Sequence, residues 1–307
     1  MKISLIIGLI ISLQAIGSTD HLTLEHQGKT LSAVNRAEFS HPLLGEPFIN
    51  HDKYKEFMEK LDQQILRAPV NAFIDKNGKI IPEQAGLKLN RTAFTEQFYR
   101  YFFNKGPSRI EVPTISIYPK VDSELLSQIR EKQIGRYVTY FNPRNKNRTL
   151  NIVLAAEAIN NHVIFPGETF SFNGVVGKRT VEKGYLPAPI IVKGELSEGV
   201  GGGICQVSST LFNAIDNAGL HILERYSHSK SVPYVPEGRD ATVSWYGPDF
   251  TFKNDYNQPV LIRTHIYGGR VIVNVYSSDM INYKPRKVAP ASDLLPIETI
   301  KFRLMKK

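Results

Sequence analysis

The chain has 307 residues, 42% of them hydrophobic and 22% charged, with a formal net charge of +9 at pH 7. With 10% aromatic residues, this is a core-forming composition that excludes extended disorder, and the length suits two ordinary domains or one large one. The basic residues are scattered, as in Lys284–Lys287 and Pro143–Arg148, and none is interleaved with aromatics. That pattern argues against nucleic acid and leaves either a solvated basic face or, if the chain is exported, a polyanionic partner such as a cell-wall polymer or anionic lipid headgroups.

Residues 1–17 have the layout of a signal peptide. Lys2 is the positive end, Ile3 to Leu13 the apolar stretch, and Ala15 and Gly17 the small residues of a cleavage site. An uncleaved N-terminal anchor is the alternative, and either one makes the protein extracytoplasmic, secreted or wall-associated. Membrane contact is expected only through this segment. Residues 18–44 read as a lead-in.

A small α+β module is expected over 45–132. Tyr54, Phe57, Met58, Leu61 and Ile65 form one stripe of a helix. Asn77-Gly78 between apolar runs predicts a hairpin. Thr92 is the expected cap of a second helix bearing Phe94, Phe98 and Phe102, and Asp122 the cap of a third. Between them, "IEVPTISIY" reads as one strand, an edge strand because of Pro113.

The second domain is expected over 136–277. A helix near Asn151–Asn161 is followed by a strand in "APIIVKGEL", a glycine run, and a helix whose stripe is Ile204, Val207, Leu211, Ile215 and Ala218. Strands are then predicted at Leu220–Tyr226, Ala241–Trp245 and Phe250–Lys253, with a closing hairpin of Val260–Tyr267 and Arg270–Tyr276. The fold class is therefore α+β, with helices packed on an antiparallel sheet. Residues 278–307 read as an extended tail.

The chain has a single cysteine, Cys205, directly after Gly201-Gly202-Gly203. It lies off the apolar stripe and in the first turn, where unpaired N–H groups and the helix dipole favour a thiolate. His228 and Asp240 follow in chain order. Cysteine at a helix start, then histidine, then aspartate is the order of papain-like and transglutaminase-like acyl-transfer folds. Here Cys205 would be the nucleophile, His228 the proton shuttle and Asp240 its orienter, with Gln206 or a backbone N–H serving the oxyanion. His221 and His265 compete with His228 as partners. The other reading is a binding groove, formed by Gly201, Gly202, Gly203, Tyr234, Arg239, Trp245 and Tyr246, with the thiol as packing. No close-spaced ligand pair points to a metal, and no cofactor is expected.

The blocks "FNPRNKNRTLNIVLAAEAINNHVIFPGETFSFNGVVGKRT", "GGGICQVSSTLFNA" and "SVPYVPEGRDATVSWYGPDFTFKN" resemble the VanW family over roughly 136–268. "APVNAFIDKNGKIIPEQAGLKLN" resembles the peptidoglycan-binding module that often precedes VanW domains. The resemblance implies a Gram-positive cell-wall setting and a link to peptidoglycan or glycopeptide antibiotics, and it supplies no mechanism. The expected function is an exported protein that binds peptidoglycan or its peptides. The alternative is a thiol-dependent acyl transferase or hydrolase acting on stem peptides.

Overall fold

The computed structural model describes residues 20–41, 48–104, 106–192 and 195–294. The signal-peptide segment lies outside the described residues. The contacts divide the chain into two units, one of residues 1–71 and 83–120, the other of 72–82 and 121–307.

In chain order the elements are β1 (His21–His26), β2 (Lys29–Asn35), β3 (Ser40–His41), β4 (Phe48–Ile49), α1 (His51–Ile65), β5 (Phe73–Ile74), β6 (Ile80–Ile81), β7 (Gly86–Leu89), α2 (Arg91–Phe103), β8 (Ser108–Glu111), β9 (Thr114–Ile117) and α3 (Ser123–Ile129). There follow β10 (Lys132–Tyr140), α4 (Lys146–Ile159), β11 (His162–Ile164), β12 (Thr169–Ser171), α5 (Phe172–Val176), β13 (Pro187–Val192), β14 (Glu195–Val200), α6 (Ile204–Asn217), β15 (His221–Glu224), β16 (Thr251–Lys253), β17 (Val260–Tyr267) and β18 (Arg270–Ser277). The fold is mixed α and β with antiparallel sheets, as the sequence pattern implies. Among the described residues no helix is long and apolar enough to cross a membrane.

In the first unit, α1 and α2 bury Tyr54, Met58, Leu61, Phe94, Phe98 and Phe102 in a single aromatic-rich core with Phe39, Leu22 and Leu24. Leu22 and Leu24 come from β1, which pairs antiparallel with β2 and parallel with β8. Residues 21–35 are thus integral to this unit's sheet and core, where the sequence reading had a lead-in. The cap of α2 is Asn90, whose side chain accepts from the Ala93 N–H; Thr92 sits inside the first turn. The expected "IEVPTISIY" strand is two strands. Around Pro113, which lacks an N–H and has a fixed φ, β8 joins β1 while β9 pairs with β7.

The 45–132 module is not a single contact unit. The Asn77-Gly78 hairpin, β5 with β6, packs with α3 in a small cluster of Ala72, Ile74, Val121, Leu126, Ile129, Val163 and Leu261. Arg263 Nη1 donates to the Ile74 carbonyl at 2.6 Å, fastening the hairpin to β17. These bonds give residues 72–82 to the second unit.

The second unit is built on an antiparallel sheet of order β10-β18-β17-β11. The α6 stripe of Ile204, Val207, Leu211, Ile215 and Ala218 is buried in the core formed with Tyr137, Ile152, Val273 and Val275. Gly135 permits this packing, because a Cβ there would lie 2.8 Å from the Ala218 Cβ. A second sheet, β12-β16-β15, and the β13–β14 hairpin complete the unit. No strand forms at Ala241–Trp245, because the backbone bonds there go elsewhere. The Ala241 N–H donates to Ser209 Oγ at 2.8 Å and the Thr242 N–H to the Tyr226 carbonyl at 2.8 Å. The segment after β18 has no regular structure, yet it packs. Ile281 is buried, the Arg286 N–H donates to the Asn217 carbonyl, and the Tyr137 hydroxyl donates to the Ala289 carbonyl at 2.8 Å.

Candidate functional site

The start of α6 is a glycine-made corner. Gly201 and Gly203 have φ of +90° and +104°, backbone that L side chains rarely adopt. Gly202 is constrained differently: a Cβ there would lie 2.5 Å from the Ala188 carbonyl oxygen of β13. Asn151 of α4 holds the corner from behind. Its Nδ2 donates to the Gly202 carbonyl at 3.0 Å and to the Leu186 carbonyl at 2.8 Å. The corner delivers Cys205, half-buried, to the first turn of the helix.

Beyond its apolar stripe, α6 also buries polar side chains. Ser208, Ser209, Thr210 and Asn213 are all inaccessible to solvent. Ser208 Oγ donates to the Ala241 carbonyl, and Asn213 Nδ2 donates to the Arg239 carbonyl at 2.7 Å. These bonds lay residues 239–244 along the helix. That placement sets Thr242 Oγ1 3.8 Å and the Val243 carbonyl 3.6 Å from Cys205 Sγ. It also fixes Asp240, whose Oδ2 accepts from both the backbone N–H and Nδ1 of His228, each at 2.6 Å. The carboxylate therefore grips the residue at two points. With Nδ1 held, the other ring nitrogen serves the hydrogen bond that His228 makes with Cys205.

The electrostatics follow from this geometry. Burial alone would push the Cys205 thiol up, but the hydrogen bond and charge of His228 hold it below the usual thiol value. Burial alone would push His228 down, yet Cys205 and Asp240 together raise it above the usual imidazole value. Burial opposes ionisation of Asp240 too, and the two His228 N–H bonds keep its carboxyl below the usual range. The arrangement favours a thiolate beside an imidazolium.

Cys205 and His228 line a cleft of about 440 Å³. Gly201, Gly203, Gln206, Tyr234, Trp245 and Tyr246 line it as well. Trp245 and Tyr246 are 42% and 84% exposed at its edge, whereas Tyr234 is buried and hydrogen-bonds Ser209. Three of the sequence-derived positions lie elsewhere or are already engaged. Gly202 backs onto β13. Arg239 clamps α6 from outside the cleft, donating through Nε to Asn213 Oδ1 at 2.7 Å and through Nη2 to Asp216 Oδ2 at 2.8 Å. The Gln206 side chain is spent on structure: its amide donates to Thr139 Oγ1 and the Tyr140 carbonyl, and its oxygen accepts from Arg148 Nη2 at 2.7 Å. Of the competing histidines, His221 bonds Asp255 at 2.9 Å, and His265 faces outward on β17. Among the described residues no group of three His, Cys, Asp or Glu side chains could hold a metal ion.

The sequence reading missed Arg148, Lys178 and Arg179, which also line the cleft. Their only signal was position within the "PRNKNR" and "GKRT" blocks, which carry no chemical signature by themselves.

The comparisons with known proteins match this region. A family model described as VanW like protein matches residues 147–276. A Bacillus subtilis protein named Uncharacterized protein YoaR is 59% identical over 294 residues, covering 96% of this chain and 97% of that one. The chain belongs to the VanW family. The vancomycin B-type resistance protein VanW of Enterococcus faecalis is 32% identical over 139 residues, which is 43% of this chain and 50% of that protein. No solved structure matches the chain. The matched VanW segment contains every element of the cleft, from Arg148 to Tyr246.

Proposed function

We propose that this VanW-family protein is a thiol-dependent acyl transferase or hydrolase acting on peptide bonds of the cell wall, in an extracytoplasmic setting. The observation that carries the reading is Cys205 in a cleft, hydrogen-bonded to His228 whose Nδ1 is held by Asp240 at 2.6 Å. A thiol that served only as packing would gain nothing from an oriented imidazole and a buried carboxylate behind it. The wall as substrate rests on the family, one relative of which is named for vancomycin resistance.

In the first half-reaction the Cys205 thiolate attacks the carbonyl carbon of a peptide bond. The developing oxyanion is met by the Cys205 backbone N–H; among the described residues no backbone carbonyl accepts from it, whereas the neighbouring N–H groups of Ile204 and Gln206 bond Gly201 and Gly203. The C–N bond breaks, the His228 imidazolium gives its proton to the departing amine, and a thioester remains. In the second half-reaction His228 takes a proton from water or an amine. That nucleophile attacks the thioester, and the thiolate leaves. Asp240 keeps the imidazole in the working tautomer and supports its positive charge. The first unit, which contains much of the stretch that resembles a peptidoglycan-binding module, would hold the polymer.

The test is incubation of the purified protein with soluble peptidoglycan fragments, followed by mass spectrometry of the peptides and of the intact protein. The expected result is new or cleaved peptides, a thioester-linked adduct on Cys205, no turnover in Cys205→Ala, and a loss of about 10²–10⁴-fold in His228→Ala. Full activity in Cys205→Ala would overturn the reading. The exposed Trp245 and Tyr246 favour a second reading, a binding module for the same polymer. It predicts unaltered fragments that bind equally well to wild type and Cys205→Ala.

A further inference from the structure

The cleft has a second chemical feature besides the thiol. Its lining includes three cations, Arg148, Lys178 and Arg179, and, among the described residues, no aspartate or glutamate. Two of the three are occupied. Arg148 donates to Gln206 Oε1 at 2.7 Å. Lys178 stands over the exposed Tyr246 ring, 5.3 Å from its centroid, and hydrogen-bonds it. Arg179 differs from both. Its Nη1 and Nη2 are each shielded from solvent and, among the described residues, meet no protein acceptor.

The surroundings hold this guanidinium in place. Its Cζ lies 5.7 Å from the centroid of the buried Phe172 ring. Its stem runs past Gly201, where a Cβ would be in ordinary contact with the Arg179 Cβ at 3.4 Å. A buried cation with its bonding fork unfilled is costly and is retained where an anion completes it. The ionisable acids near enough to act on it are Cys205, Asp249 and Tyr185, and burial pushes the Tyr185 phenol above its usual value, which keeps it neutral. Asp249 is engaged with Ser171 Oγ and the Asn173 N–H.

We propose that Arg179 is the carboxylate-recognition residue of the cleft, so that the molecule attacked by Cys205 carries a free carboxylate close to the reacting carbon. A guanidinium matches a carboxylate through two parallel N–H···O bonds, and a carboxamide cannot accept both. The inference rests on the acyl-transfer reading for the identity of the reaction, but not for the existence of the anion site.

The test uses two matched probe pairs. The first is iodoacetate against iodoacetamide as alkylating agents for Cys205 in the folded protein. The expected result is a preference for iodoacetate, relative to a free thiol, of about 10- to 100-fold. The preference should disappear in Arg179→Gln, with the iodoacetate rate falling by much more than the iodoacetamide rate, persist in part in Arg179→Lys, and fall with added salt. Equal slowing of both reagents in Arg179→Gln would show a role in thiolate formation or folding and overturn the proposal. An unchanged ratio would overturn it as well. If Arg179→Gln does not fold, as thermal unfolding would show, the Arg179→Lys ratio decides. The second pair is N-acetyl-alanyl-alanine and its C-terminal amide, titrated into Cys205→Ala and followed by NMR. Shifts of cleft residues with the acid alone, abolished by Arg179→Gln, support the anion site even if the thiol proves inert. In that case the acyl-transfer reading fails and the anion site stands. Equal shifts with both peptides, or none, overturn it.

Discussion

The two units solve the problem of a stable core in different ways. The first fills its centre with rings: Phe39, Tyr54, Phe57, Phe94 and Phe98 lie with centroids 4.7–6.2 Å apart. The second has an apolar core of its own, around Phe170, Phe250, Phe252 and the α6 stripe, and adds to it buried polar groups on α6: Gln206, Ser208, Ser209, Thr210 and Asn213. Aromatic packing supplies stability and asks little of geometry beyond shape. A buried polar face is stable only if every group finds its partner, so it fixes positions closely. That is why the segment carrying Asp240, Thr242 and Val243 needs no strand to hold it, and why the chemistry sits in the second unit.

Three substitutions probe this contrast. The largest stability effect is expected in the first unit. Phe98→Ala removes a ring that contacts Phe39, Tyr54, Phe94, Tyr101 and Phe102 and should cost about 3–5 kcal/mol in denaturant unfolding. The alkylation rate of Cys205 should stay unchanged, and a matching loss of thiol reactivity would break the contrast. Gln206→Ala comes next. It removes the hydrogen bonds that Gln206 makes with Arg148 Nη2, Thr139 Oγ1 and the Tyr140 carbonyl, for about 1–3 kcal/mol of stability. Because Gln206 adjoins Cys205, this variant should also slow alkylation, whereas Phe98→Ala should not. The smallest effect on stability is expected from Trp245→Ala, within about 0.5 kcal/mol, with binding of peptidoglycan fragments weakened by more than about fivefold. Binding unchanged in that variant would remove Trp245 from the cleft's working surface.

The α6 helix was legible because its apolar stripe and the glycine corner are local signals. So was the chain order Cys205, His228, Asp240, which the structure brings into mutual hydrogen-bonding reach. What was not legible depends on partners far along the chain. The Ala241–Trp245 segment alternates like a strand, but its N–H groups are claimed by Ser209 and the Tyr226 and Pro248 carbonyls. Arg239 looked like a ligand anchor, and Asn213 and Asp216 draw it to the other side of the helix. Gln206 looked free, and Thr139, Tyr140 and Arg148 occupy it. Arg179 was invisible because its significance is an unfilled hydrogen-bonding fork, which no spacing announces. The hairpin at Asn77-Gly78 was read correctly as a hairpin, while Arg263 assigns it to the other unit.

The central claim is that the Cys205 thiol and His228 form an ion pair at rest. It is tested most directly by the rate of alkylation with iodoacetamide as a function of pH, in wild type and His228→Ala. The thiol is held low by His228, so the wild-type rate should reach half its plateau below the ordinary thiol value of about 8.5. Without the imidazolium, burial alone acts on the thiol, and the midpoint should move upward in His228→Ala. A thiol that stays inert until the protein unfolds, or a midpoint unmoved by the His228 substitution, would contradict the account.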